Sequence, residues 1–149
     1  MYAGGGKKML RLFPAGRVVT VAATAFLVFA LKEWSAMISP QNGSTVSGTA
    51  TAEPRTGDSL VVSISIKGAK AGDLNPWHLH SGGCDSSGAV IGDPSRYAPI
   101  TISADQSGQS TARVKAMLTV GVPYSVNVHR APGDMGVIAC GNLRPIAGR

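Results

Sequence analysis

Residues 59–67 alternate without a break. Leu60, Val62, Ile64 and Ile66 fall on one face, and Val61, Ser63, Ser65 and Lys67 on the other. Successive side chains of a strand point to opposite sides, so this pattern predicts a half-buried antiparallel strand. Shorter runs repeat the alternation along the chain. Residues 47–53 read as an edge strand, and residues 100–104, 110–118, 124–129 and 137–143 as further strands. Residues 89–91 form a short run of the same kind. Turn formers separate them at 54–58, 68–75, 105–108, 121–123 and 132–136, and Gly108 stands where the 105–108 turn calls for positive φ. With 19 glycines and only 5% aromatic residues, the composition also leans toward strands and turns. No helical period follows the N-terminal segment. The expected fold class is all-β, an antiparallel sandwich or flattened barrel of about eight short strands.

The N-terminus is set apart. Lys7, Lys8, Arg11 and Arg17 precede an apolar run over residues 18–31. Fourteen residues fit the apolar core of a signal peptide better than a full membrane span. Val28-Phe29-Ala30 supplies small residues for cleavage after Ala30. The rival reading is an uncleaved anchor continued by Trp34, Ala36, Met37 and Ile38, and the charged pair Lys32-Glu33 interrupts that span. Either way the domain is exported: periplasmic, secreted, or membrane-anchored and outside the cytoplasm. Residues 1–30 are thus a signal peptide or signal anchor, 31–46 a linker and 47–149 the β domain. Only residues 18–31 would touch a membrane, and only if uncleaved. The formal net charge of +6 falls to about +2 beyond residue 30. Nowhere do Lys and Arg cluster with stacking aromatics, which argues against a nucleic-acid partner.

Residues 77–84 read W-H-L-H-S-G-G-C. On a strand His78 and His80 project side by side while Trp77 and Leu79 point into the core. His129, the only other histidine, shares the polar face of its run with Asn127, opposite Val126 and Val128. His78, His80 and His129 are therefore candidate metal ligands. Imidazole suits copper, zinc, nickel and iron, and copper(II) has the greatest intrinsic affinity. The same three ligands also describe a hydrolytic zinc site. Surface histidines on polar strand faces are the bland alternative. In an exported chain, two cysteines predict a disulfide, Cys84 to Cys140, which the chain-entropy model values at roughly 4 kcal/mol. Free thiols are the alternative. Gly82-Gly83 let the chain turn sharply after His80 so that Cys84 reaches back.

Several stretches, in order over about residues 45–146, resemble the copper-zinc superoxide dismutase family. Trp77-His78-Leu79-His80 is similar to its H-x-H copper motif. Ile102-Ser-Ala-Asp105 followed by Gly108 resembles its D-x-x-G hairpin. Val126-Asn-Val-His129 looks like the strand carrying another copper ligand, and Ile138-Ala-Cys140-Gly141 like its A-C-G motif. The resemblance implies a Greek-key barrel, copper held by His78, His80 and His129, and superoxide as substrate. The departures imply a stripped site. No histidine lies between Cys84 and the hairpin, Tyr97 stands near where a zinc-binding His is expected, and the zinc site is expected to be absent. Val137 falls where the family places an arginine, and the short segment between His129 and Cys140 leaves no room for a charged guidance loop. Arg130 points to the opposite face by strand parity.

Three functions follow. The first is an exported copper-binding, superoxide dismutase-like protein, either a modest enzyme or a copper carrier. The second is a non-catalytic, disulfide-stapled binding module that has lost metal chemistry. The third is a zinc hydrolase, which ranks last because Asp85 and Asp134 read as turn formers rather than acid–base partners. Met135 is a soft copper(I) ligand type, more simply read as a turn-flanking apolar contact.

Overall fold

The computed structural model describes residues 33–146, together with Met1. The signal or anchor segment over residues 1–30, including the apolar run at 18–31, lies outside the described residues. The described residues form ten strands: β1 (Trp34–Pro40), β2 (Ser47–Arg55), β3 (Ser59–Lys67), β4 (Leu74–Asn75), β5 (Trp77–Ser81), β6 (Ile100–Thr101), β7 (Ser107–Lys115), β8 (Tyr124–Ala131), β9 (Asp134–Asn142) and β10 (Arg144–Pro145). Seven run in the order β5-β8-β9-β1-β2-β3-β7, β10 pairs with β1, and β4 with β6 makes a separate two-stranded ribbon. Every pairing is antiparallel. The all-β antiparallel architecture expected from the alternating runs is the one observed.

The alternation sets what is buried. Leu60, Val62, Ile64 and Ile66 of β3 face the core with Trp77 and Leu79 of β5, Val126 and Val128 of β8, and Ala112 and Val114 of β7. Each large aliphatic side chain removed from water in this way contributes about 1.5–3 kcal/mol. Trp77 is the largest of the fully buried side chains, and its indole Nε1 donates to the Ala98 carbonyl at 2.9 Å. The partner offsets the cost of burying the indole N–H, so Trp77 can anchor the strand that bears two of the histidines.

Four expectations are corrected. Residues 31–46 are not simply a linker: Trp34–Pro40 is β1, central in the sheet, with Trp34, Ala36 and Ile38 buried. The same burial removes these residues from any anchor. Their period-2 pattern was masked by the apolar run just before them. Second, β2 is not an edge strand, because it sits between β1 and β3. Small residues at alternate positions suit close approach to neighbours on both sides. Third, residues 89–91 form only an isolated bridge, Val90 to His80, and the strand at 100–104 shortens to Ile100–Thr101. Fourth, Gln106 and not Gly108 takes the positive φ, +63°, of the β6–β7 turn. Gly108 is needed for space instead: a Cβ there would meet the Thr101 carbonyl oxygen at 2.6 Å.

Candidate metal centre

Strand register assembles the three histidines. β5 pairs with β8 with Trp77 opposite Val128 and His78 opposite Asn127. That places His129 just beyond the end of β5, where its N–H donates to the Pro76 carbonyl at 2.7 Å. Ring centroids lie 5.9 Å apart for His78 and His80, 5.4 Å for His78 and His129, and 6.1 Å for His80 and His129. One ligand nitrogen from each lies within 4.8 Å of the others, close enough for one ion to bridge.

The hydrogen bonds say which nitrogens face inward. His80 Nδ1 pairs with the Gly88 carbonyl at 2.9 Å, and His129 Nδ1 with the Met135 carbonyl at 2.8 Å. A carbonyl only accepts, so each Nδ1 carries the proton and each Nε2 keeps a free lone pair. Those two Nε2 atoms, with Nδ1 of His78, are buried and have no protein partner. A buried polar atom without a partner is costly. Three of them, one per ring of a single cluster, form a nitrogen donor set that suits a metal cation, and the fixed tautomers are those that metal-bound histidines commonly show.

Charge points the same way. Burial, with the neighbouring His129 and His80, lowers the His78 pKa to about 4. Burial also lowers that of His129, helped by His80 and opposed by the Met135 carbonyl. Neutral, lone-pair-bearing rings are what a metal needs. A testable consequence concerns the metal-free protein. Above the ordinary His value of 6.5 the His78 ring is neutral in both the folded and unfolded chain. As pH falls from 6.5 toward about 4, the unfolded chain takes up a proton that the fold refuses, and stability is lost through that window. Urea midpoints of the metal-free protein should therefore drop between pH 7.5 and pH 4.5, and the drop should shrink in His78→Gln. Equal slopes in the two proteins would assign the acid sensitivity elsewhere.

The surroundings bear on the alternative of surface histidines. The face of β8 carrying Ser125, Asn127 and His129 is polar but not solvent-facing; all three residues are buried. The segment after His80 covers it. Gly82, at φ +83°, turns the chain, and a Cβ there would strike the Ser86 carbonyl oxygen at 2.3 Å. Cys84 and Cys140 are joined as a disulfide, with Cα atoms 5.9 Å apart. The Cys84 N–H donates to Asn142 Oδ1 at 2.8 Å, and the Ser87 hydroxyl accepts from Asn127 Nδ2 at 3.0 Å.

Tyr97 is buried with its ring 5.4 Å from that of His78 and 5.1 Å from that of Trp77. Its hydroxyl donates to the Ile91 carbonyl at 2.7 Å, and burial pushes its pKa up to about 12. Met135 is half exposed and serves the cluster through its carbonyl. Asp134 lies 3.6 Å from the Arg130 guanidinium, and both side chains are largely exposed. Val137 lies across the ladder from His129. Asp85 is exposed in the turn after Cys84, and among the described residues no carboxylate joins the histidine cluster. Residue types gave no sign of the carbonyls of Gly88 and Met135, because a backbone acceptor is identified only by the path of the folded chain.

No family model matches the chain, and no curated protein does so by sequence. Among solved structures, the chain is similar to superoxide dismutase 5 of Candida albicans, in a form with one aspartate changed to asparagine. The TM-score is 0.57 with 15% identity, over 79% of this chain and 94% of that one. The fold of the described residues is therefore that of a superoxide dismutase-like β-barrel, carrying a three-histidine cluster and one disulfide.

Proposed function

We propose that this chain is an exported copper-binding protein, with copper held by His78, His80 and His129, and that it dismutes superoxide with modest efficiency. The observation that carries the reading is the set of three buried, unpartnered ring nitrogens, two of them on rings whose other nitrogen is fixed by a carbonyl. Copper would supply a centre that passes between two oxidation states, so that two superoxide anions and two protons become dioxygen and hydrogen peroxide. The protein's part is narrower. Gly88 and Met135 hold two rings in place through their carbonyls, and the low proton affinity of His78 and His129 keeps them free to ligate.

His80, His129 and Tyr97 offer no proton to the reduced oxygen. The Nδ1 protons of His80 and His129 are committed to carbonyls, and the Tyr97 hydroxyl is buried and bonded to Ile91. Water, or the remaining ring N–H of His78, is then the proton source. Steering of the anion is weak as well. Val137 carries no charge, Arg130 is shared with Asp134, and residues 33–146 hold eight Lys and Arg against eight Asp and Glu. These features also support the reading as a copper carrier without useful turnover. The absence of a carboxylate beside the histidines in the described residues disfavours a zinc hydrolase, which needs a general base.

The full chain, loaded with copper and zinc together and then dialysed, distinguishes the readings. Copper near one per chain with slow superoxide consumption supports the enzyme, and copper without consumption supports the carrier. Zinc in preference to copper revives the hydrolase. No retained metal leaves a disulfide-stapled binding module.

A further inference from the structure

Asn75 is fully buried. Its Nδ2 donates twice, to the His129 carbonyl at 3.1 Å and to the Arg130 carbonyl at 2.9 Å. In a regular strand, consecutive carbonyls point to opposite sides. One amide group reaches both only because β8 is irregular there: its register with β9 shifts between Val128 and His129 and again between His129 and Ala131. Such bulges re-aim a side chain. The residue after Asn75 adds a third tie, since Pro76 accepts from the His129 N–H at 2.7 Å. Two residues on, the same segment carries His78. The amide orientation is fixed as well, because reversing it would set Oδ1 against two carbonyl oxygens.

From this geometry we infer that Asn75 is a positioning residue for the metal centre. It clamps the β8 bulge so that His129 Nε2 converges with the nitrogens of His78 and His80. The inference rests on the metal-binding reading above. Asn75 itself touches neither metal nor substrate. It acts by tying the backbone of one ligand to the segment that leads into the other two.

Two variants of the full chain separate positioning from packing. Asn75→Leu keeps the branched outline, with a somewhat larger side chain, and removes both donors. Asn75→Asp keeps the shape and replaces the donors with an oxygen facing two carbonyls. Copper affinity, read by chelator competition, should fall about tenfold to a hundredfold in Asn75→Leu, the usual range for losing a group that orients a ligand, and further in Asn75→Asp. The copper(II) electron paramagnetic resonance spectrum should change in both variants, which a loss of stability alone does not produce. Wild-type affinity and spectrum in a folded Asn75→Leu would overturn the inference and leave the metal reading standing. A wild-type protein that binds no copper would overturn both. Should neither variant fold, the wild type decides by NMR. Both Asn75 side-chain amide protons should exchange slowly and shift on copper(I) loading, and fast exchange with no shift would overturn the inference.

Discussion

His129→Ala should leave the chain folded but unable to hold copper through dialysis. His129 is the one ligand supplied by β8, and without it only two nitrogens remain, both from β5. Two imidazoles from one strand cannot surround an ion, and the loss should exceed the tenfold to hundredfold typical of an orienting group. The fold should survive because the barrel core does not depend on the ring. Val126 and Val128, on the opposite face of β8, remain buried with Trp77 and Leu79. What the fold loses is the partner of the Met135 carbonyl, worth about 1–3 kcal/mol if that oxygen stays dry, and less here because Met135 lies at an exposed hairpin. Metal analysis of wild type, His129→Ala and His80→Ala, beside their urea midpoints, checks this. Stoichiometric copper in His129→Ala would mean that the ion sits elsewhere. Loss of copper only together with unfolding would mean that the histidine is structural.

The parity of the strands made the cluster legible. His78 and His80 lie two apart opposite Trp77 and Leu79, and His129 lies opposite Val126 and Val128, so the alternation that fixed the core also fixed which side the histidines take. Ser59–Lys67 was legible to the residue, because a strand buried on one face writes its burial directly into the chain. Trp34–Pro40 was not. Its alternation follows an apolar leader, and there only the partners across the sheet distinguish a strand from the tail of a hydrophobic segment. The covered state of Ser125, Asn127 and His129 was hidden for a related reason. A polar strand face reads as solvated until the path of the next loop is known. Asn75, between a loop and Pro76, looked like a turn former, and its role depends on a bulge 54 residues away that no local pattern announces.

Removing the disulfide should weaken both the fold and the metal centre, by different routes. The bond joins residues 56 apart in sequence, so its loss in Cys84→Ala/Cys140→Ala frees the unfolded chain by roughly 4 kcal/mol in the chain-entropy model. The urea midpoint should fall accordingly. The second route is local. Cys84 begins the segment that runs to Gly88, whose carbonyl fixes the His80 tautomer. That segment is otherwise held by Cys84 N–H to Asn142, by Ser87 to Asn127 and Ser125, and by the Gly88 N–H to the Ser81 carbonyl at 2.6 Å. The side-chain bonds among these are exposed or only part-buried, and each is worth only about 1 kcal/mol net. Without the covalent staple the segment should open often enough to release Gly88 from His80, and copper affinity should fall about tenfold, at the low end for an orienting group. Chelator competition under conditions where the variant is fully folded isolates this effect from global stability. A lowered midpoint with unchanged copper affinity would show that the hydrogen bonds alone keep Gly88 on His80. The disulfide would then act on the unfolded chain only, and the centre would keep its metal in a reducing compartment as well as in an oxidising one.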